Sequence, residues 1–392
     1  MTSELTTRDP DAAPAYSGLD PDRPARAVVV GAGGMGRWWA QVVQSSEVAE
    51  LVGIADLDPD LPATAIDHAG ADPARVAVGS DGVQLAEEVG ADILINSTVP
   101  VAHRPVTIAS LRAGIPVLGE KPVTETLPEA LTLVAHSEVT GVPFMVSQSR
   151  RFFRQVRQLR EFTRAHGPNV ITSVFFSMFA DVSGYRKAER HPELRDIGIH
   201  NFDAVRYVLG VDPVAVTARE IHPSNSTYDQ NATVTAIFEM DDDSLFTYNG
   251  SWDIRGLETL WNGEWRIGLQ NGSATWDGIG RPVFGTADAE ETTHLQAEVA
   301  ADDDVEPDQI DASLIEFVSA LREGRTPLTA VRSNVLSFAM VEAASLAAET
   351  GERVVVDELL QEALTQAIAM ETDPDARAVL ESWGSVREAL AD

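Results

Sequence analysis

Cysteine is absent from all 392 residues, which excludes disulfide scaffolds, thiolate zinc sites, cysteine-ligated iron–sulfur clusters and cysteine nucleophiles by arithmetic. Redox chemistry therefore falls most simply to a bound organic cofactor. No run of about 18 apolar residues occurs, the length a membrane-crossing helix needs. The opening segment, Met1 to Pro24, is rich in Asp, Pro, Thr and Ala and lacks an apolar signal core. It is expected to be a disordered tail (residues 1–24) on a cytoplasmic protein. Positive charge is scarce as well: 29 Lys and Arg stand against 61 Asp and Glu, a formal net charge of -32. Binding nucleic acid depends on Lys and Arg displacing condensed counterions, so neither nucleic acid nor an anionic membrane is an expected partner. The acidic excess favours solubility by self-repulsion and carries no information about fold or substrate.

What is present suits a two-domain α/β chain, since a 44% hydrophobic content over this length can fill more than one core. Over residues 25–149, short apolar runs alternate with helical patterns, the rhythm of a parallel sheet with helical crossovers. The expected strands are Ala27 to Val30, Leu51 to Ala55, Val76 to Val78, Ile93 to Asn96, Pro116 to Leu118 and Pro143 to Ser147. The expected helices are Gly36 to Ser46, Val101 to Ala113 and Leu127 to Thr140. Residues 150–355 read as a second, α+β domain with an open, mainly antiparallel sheet. A helix over Phe152 to His166 precedes strands at Val170 to Phe179, Ala232 to Glu239, Ser244 to Trp252 and Trp265 to Leu269. Asn249-Gly250, Asn262-Gly263 and Asn271-Gly272 suggest hairpin turns. Thr286 to Pro307 is acidic and reads as a loop, helices follow over Gln309 to Glu323 and Val331 to Thr350, and residues 356–392 read as a helical extension.

Directly after the first strand comes Gly31-Ala32-Gly33-Gly34-Met35-Gly36, a G-x-G-x-x-G sequence opening a helix. Gly31 allows a tight turn, Gly33 lets the backbone approach a pyrophosphate, and Gly36 lets helix and strand pack closely. The first-turn amides around Gly34 and Met35 then offer N–H groups and the positive end of the helix dipole to a diphosphate. This is the fingerprint of a Rossmann dinucleotide-binding domain. About 20 residues on, Asp56 ends the second strand, where a carboxylate accepts hydrogen bonds from the adenosine ribose hydroxyls and repels a 2′-phosphate. Leu57 follows instead of an arginine, so NAD(H) is expected in preference to NADP(H).

Further motifs follow in order: Thr98-x-Pro100-x-x-His103 after the fourth strand, Glu120-Lys121-Pro122 after the fifth, and Asp196-Ile197-Gly198-Ile199-His200 in the second domain. Together with the Trp261-Asn262-Gly263-Glu264-Trp265 segment, this arrangement resembles the Gfo/Idh/MocA family from about Arg26 to Thr350. The resemblance implies hydride transfer between NAD(H) and a secondary alcohol or ketone of a sugar, inositol or related polyhydroxy compound. It also implies that the second domain binds substrate and uses its sheet to form a homo-oligomer, a dimer or tetramer. Lys121, Asp196 and His200 are then the catalytic residues, with Thr98, Pro100, His103, Glu120 and Lys121 on the cofactor side.

The residues suit that chemistry. Oxidising an alcohol requires a base to take the hydroxyl proton and a donor that favours the alkoxide. His200 has an ordinary pKa close to neutrality and is the expected base. Asp196, four residues earlier, would share its helical face and orient the imidazole, with Asp203 as a supporting carboxylate. Lys121 at a strand's carboxyl end would polarise the substrate oxygen. Arg151 and Tyr185 are candidates to touch a polyol, and Trp252, Trp261, Trp265 and Trp276 to stack on a sugar face, although core burial is the alternative for each. No metal site is expected, because His191, Asp196 and His200 lack an accompanying ligand cluster. His191-Pro192-Glu193-Leu194-Arg195 stands where many members of the family carry glycines, so the pocket departs from theirs. Two other readings stay open: an NAD-dependent lyase or glycosidase with transient redox, and a non-catalytic NAD-binding metabolite sensor.

Overall fold

The computed structural model describes residues 18–179, 182–286, 296–299 and 309–391. In the first half, strands β1 (Ala25–Val30), β2 (Ala49–Ala55), β3 (Ala77–Gly79), β4 (Ile93–Asn96), β5 (Val117–Gly119) and β6 (Phe144–Val146) alternate with helices. These are α1 (Gly34–Ser45), α2 (Leu61–Ala69), α3 (Gly82–Val89), α4 (Pro100–Arg112) and α5 (Leu127–Thr140). The strands form one parallel six-stranded sheet in the order β3, β2, β1, β4, β5, β6. Helices cover both faces, which is why the strands are mostly apolar: Ile93, Leu94 and Ile95 are all fully buried. Local signals agree with the layout. The Asp81 side chain caps α3 by accepting from the amides of Val83 and Gln84, and Thr126 with Glu129 forms a capping box on α5. The strand order reverses between β1 and β4, and a crevice opens there beyond the carboxyl ends of the strands.

The second half contains α6 (Arg154–His166), β7 (Pro168–Phe176), α7 (Tyr185–Ala188), a π-helical turn (Leu194–Gly198) and α8 (Ile199–Leu209). Strands β8 (Pro213–Ile221), β9 (Thr233–Met240), β10 (Leu245–Ser251), β11 (Glu264–Leu269), β12 (Gly272–Trp276), β13 (Val283–Thr286) and β14 (Gln296–Val299) follow. After them come α9 (Gln309–Glu323), α10 (Val331–Thr350) and β15 (Val354–Val355). The nine strands form an open sheet in the order β14, β13, β12, β11, β7, β10, β9, β8, β15, and among the described residues only β7 and β10 pair in parallel. Its inner face packs on α8 and α10. Phe202 of α8 meets Phe238, Phe246 and Tyr248 edge-on with ring centroids 4.9–5.9 Å apart.

Two expectations need correcting. Asn249-Gly250 is not a turn but lies inside β10, where Gly250 pairs with both Val234 and Phe175. Hydrogen bonds on both sides of a central strand override the local turn preference of that dipeptide. The acidic stretch after Thr286 is not wholly a loop, since Gln296–Val299 adds an edge strand to β13. Residues 287–295 and 300–308 lie outside the described residues.

The two halves share their interior. Helix α9 returns to the first sheet, where Leu314, Phe317 and Leu321 pack in one cluster with Trp39, Ile54 and Ile95. The remaining helices, α11 (Val356–Met370), α12 (Pro374–Ser382) and α13 (Val386–Leu390), close over α5 and α10. Glu371, between α11 and α12, accepts from Arg104 Nη2 at 3.1 Å and bonds His136 Nε2 at 3.2 Å. At the other end, the expected tail is structured from residue 18. Leu19 packs on the α9 cluster and Arg23 pairs with Asp92, while residues 1–17 lie outside the described residues. Among the described residues, no helix is long and apolar enough to cross a membrane.

Candidate active site

A cleft of about 1740 Å³ opens at the switch point of the first sheet and is closed from above by the π turn and α8. Its floor is the glycine turn. Gly31 adopts φ +91°, and a side chain there would strike the Ser97 carbonyl oxygen at 2.7 Å. At Gly36 a Cβ would lie 1.7 Å from the Gly31 carbonyl oxygen, so helix and strand meet there with no room for a methyl group. Gly33 and Gly34 differ: both line the cleft, and a Cβ on either meets nothing within 4 Å. Gly33 caps α1 without a side-chain acceptor, which leaves the first-turn amides directed at that open space. The cradle therefore fits a diphosphate. Asp56 sits beside it, with Oδ2 accepting from the Ala32 amide at 2.6 Å and Oδ1 from the Asp58 amide at 2.9 Å. Thr98, Pro100 and Met35 complete this end of the cleft.

At the other end, β5 runs into Glu120, Lys121 and a cis peptide to Pro122. Glu120 is buried; its carboxylate accepts from Trp39 Nε1 at 2.8 Å, and burial pushes its pKa up against the pull of Lys121. Lys121 Nζ donates to both the backbone oxygen and Oδ1 of Asp196, each at 2.8 Å. The second oxygen of Asp196 accepts from Arg186 Nη1 at 2.7 Å. Burial acts to raise the Asp196 carboxyl, but Lys121 and Arg186 outweigh it and hold the group below the usual range. His200 lines the same cleft. Burial first, then the charges of Lys121 and Arg150, push its pKa well below the ordinary value, so it is a neutral imidazole. Its Nδ1 is buried without a hydrogen-bond partner, leaving Nε2 as the nitrogen able to meet a ligand. A fixed ammonium, a neutral imidazole and the open glycine turn at the start of α1 thus face one cleft.

Residues 25–148 match the family described as oxidoreductase family, NAD-binding Rossmann fold, and residues 171–275 match the GFO/IDH/MocA C-terminal domain. The chain belongs to the Gfo/Idh/MocA oxidoreductase family. Among curated relatives, the D-apiose dehydrogenase of Paraburkholderia graminis is 25% identical over 86% of this chain and 91% of its own length. Inositol 2-dehydrogenase of Rhizobium meliloti is 31% identical over 48% of this chain and 56% of its own. Among solved structures, an oxidoreductase from Agrobacterium radiobacter in complex with NAD+, L-tartaric acid and magnesium superposes with a TM-score of 0.75. It is 20% identical, with 86% of this chain and 99% of that one covered. Aldose-aldose oxidoreductase from Caulobacter crescentus gives 0.72 at 18% identity, over 85% of this chain and 100% of the other.

Not every residue singled out in this Gfo/Idh/MocA chain reaches the cleft. Arg151 is a core residue: its guanidinium forms a two-pronged pair with Asp203 at 2.7 and 2.8 Å and donates to the Leu328 carbonyl. That pair removes Arg151 from the substrate and Asp203 from His200, because a buried guanidinium and carboxylate satisfy each other best. His103 is wedged between the two cleft-lining loops, Nδ1 2.8 Å from the Pro122 oxygen and Nε2 3.0 Å from the Thr98 oxygen, its one N–H donating to one of them, and it does not touch the cleft. Asp196 does not orient His200, since two cations within reach take both of its oxygens. His191 is directed elsewhere, to Glu220 at 2.6 Å and Glu349 at 3.0 Å. Of the tryptophans, Trp252, Trp265 and Trp276 are core, and Trp261 alone of the four lines the cleft. The side chain of Tyr185 lies outside the described residues. Sequence reasoning missed Arg186, Glu189, Arg195 and Phe179 in the lining. No motif marks them, although Arg195 and Glu193 sit in the segment that departs from the family's glycines.

Proposed function

We propose that this chain is an NAD(H)-dependent dehydrogenase of a secondary alcohol on a sugar, inositol or similar polyol. The observation carrying this reading is the Lys121 ammonium, fixed by Asp196 in a cleft that has the glycine cradle at one end and His200 in its wall. Gly33, Gly34 and the first-turn amides of α1 would hold the diphosphate, and Asp56 the adenosine ribose. The lone pairs Asp56 retains and the absence of an arginine at the exposed Leu57 favour NAD(H) over NADP(H). A bound nicotinamide supplies the hydride acceptor or donor; the chain's own groups handle the proton. Two of the three Lys121 N–H donors are engaged by Asp196, which leaves one for the substrate oxygen. That donor stabilises the oxyanion as negative charge develops. Neutral His200 takes the hydroxyl proton at Nε2 on oxidation and returns it on reduction. Phe179 and Trp261 give the cleft an aromatic wall for the apolar face of a sugar ring.

Relatives that include inositol 2-dehydrogenase and D-apiose dehydrogenase support this substrate class. We infer that a dimer or tetramer would form through the outer face of the second sheet; the exposure of Ile221 and Ile237 there, 59% and 43%, supports this. A panel of polyols, aldoses and inositols incubated with NAD or NADP, read at the absorbance of the reduced nicotinamide, tests the assignment. NADH formation with at least one polyol is expected, and more slowly with NADP. A panel that gives no net reduction while dinucleotide binding is intact defeats it.

A further inference from the structure

Glu193 opens the segment that carries Asp196 and lies three residues before it. Its side chain is fully buried. Oε1 accepts the Tyr248 hydroxyl at 2.5 Å, and Oε2 is buried with no hydrogen-bond partner. Among the described residues no ion pair engages it. Its space comes from β10: a Cβ on Gly250 would lie 2.1 Å from Oε1, so the glycine inside that strand is the socket into which Glu193 fits. Tyr248 is tied in turn to Asn201, which bonds the Ile197 carbonyl within the π turn and accepts from Ser173 of β7 at 3.1 Å. A polar thread thus runs from the central strands of the second sheet into the turn presenting Asp196.

The charged and titratable groups facing Glu193 are Tyr248 on β10, Glu220 on β8, Asp196 on its own segment, and Arg150 in the short 3-10 helix Ser149–Phe152 after β6. Arg150 is the sole cation of the set, and it spends Nη2 on the Trp261 carbonyl at 2.9 Å while Nη1 has no partner. A buried carboxylate among two other acids, without a contacting cation, is far less favourable than the neutral acid. In accord with that geometry, burial pushes Glu193 up to about 8, against the hydrogen bond from Tyr248.

We propose that Glu193 is a positioning residue of this site, acting as the neutral acid: it pins the π turn to β10 through Tyr248 and, once ionised, drives Asp196 away from Lys121. The inference rests on the reading of Lys121 and His200 as the reacting pair. It adds a proton whose loss on the alkaline side switches the site off.

The test compares the wild type, Glu193→Gln and Tyr248→Phe. Glutamine keeps the acceptor for Tyr248 and cannot ionise. At pH 7 Glu193→Gln is expected to retain kcat within about threefold, and the alkaline limb of the wild-type profile, with its midpoint near the Glu193 pKa, is expected to vanish. Tyr248→Phe removes a bond that favours the carboxylate, so its limb is expected to move to higher pH. An unchanged limb in Glu193→Gln, or a movement of the Tyr248→Phe limb to lower pH, overturns the proposal. A second readout needs no turnover. In the infrared difference between the wild type and Glu193→Gln at pH 6, the band of a protonated carboxyl is expected, and it titrates on the alkaline side of neutrality. If the wild type oxidises no polyol but shows this band, the polyol assignment fails and the neutral Glu193 stands; if the band is missing at pH 6, the proposal fails whatever the substrate.

Discussion

Two glycines three residues apart in the same turn should respond to the same substitution in opposite ways. In Gly36→Ala the new methyl carbon is placed 1.7 Å from the Gly31 carbonyl oxygen, against an ordinary contact of 3.4–4 Å. Backbone on both sides must separate by well over an ångström, because no flexible side chain is there to swing away. Overpacking of this kind costs about 1–3 kcal/mol, and an obstacle made of backbone places this case at the upper end. The helical preference of alanine over glycine returns about 1 kcal/mol, leaving a net loss of about 2 kcal/mol. With an unfolding entropy of roughly 2.1 cal/mol/K per residue over 392 residues, that corresponds to a fall in Tm of only about 2–3 °C. In Gly33→Ala the methyl group enters open cleft, with nothing within 4 Å, at an extended backbone that alanine adopts freely. Stability should stay within about 1 kcal/mol of wild type. Dinucleotide affinity, however, should fall by about 1–3 kcal/mol, a rise in Kd of roughly fivefold to 150-fold, because the methyl occupies the space assigned to the diphosphate. Thermal melting without cofactor and a fluorescence titration with NADH separate the two. A Gly33→Ala protein that binds NADH like the wild type would show that the cradle is not where the diphosphate lies.

Other outcomes follow from the cleft. His200→Ala should abolish turnover while leaving the Kd for NADH unchanged, and loss of binding instead would make His200 a cofactor residue. Because the His200 pKa is depressed, its neutral form persists below pH 6.5. The acid limb of kcat should therefore lie below that value, and a limb above it refutes the neutral base. Asp196→Asn keeps the shape but removes the carboxylate charge held against the Lys121 ammonium, which should cost about 3 kcal/mol at neutral pH. The lowered Asp196 pKa means that this stabilisation is present above the ordinary carboxylate range and lost as pH falls through the native value. Urea melts of the two proteins should thus converge in acid, and a gap that widens there refutes the assignment. Asp56→Ala should narrow the preference for NADH over NADPH by about tenfold, measured as the ratio of the two kcat/KM values.

The first sheet was legible because its strands are short and mostly apolar, and because Gly31 to Gly36 ties one strand to one helix by local rules. Lys121 was legible for the same reason, as the residue at a strand end. The second sheet was less so: Asn249-Gly250 carries a turn signal, and only the cross-strand partners Val234 and Phe175 show that the chain passes straight through. The misreadings at the site share one cause, which is that residue spacing predicts a common face but not the competitor that reaches that face first. Asp196 was expected to serve His200 until Lys121 and Arg186 arrived from other elements; Asp203 was expected to assist until Arg151 claimed it. His103 carries a motif yet acts as a wedge between two loops, a role that only the two carbonyl oxygens beside its ring disclose.

The crossing of the chain between its halves bears on how the enzyme breathes. Apolar side chains of β5 and β6 belong to the same continuous interior as those of β7, α8 and α10, while α9 seals the opposite face of the first sheet. A wide jaw-like opening would tear that shared interior, so exchange of nucleotide and substrate is left to adjustments of the rim around a mouth of fixed span. Excising residues 25–149 as a portable nucleotide-binding module would strip α9 from one face and α11 and α12 from the other, and the fragment would be sticky where the whole protein is sealed.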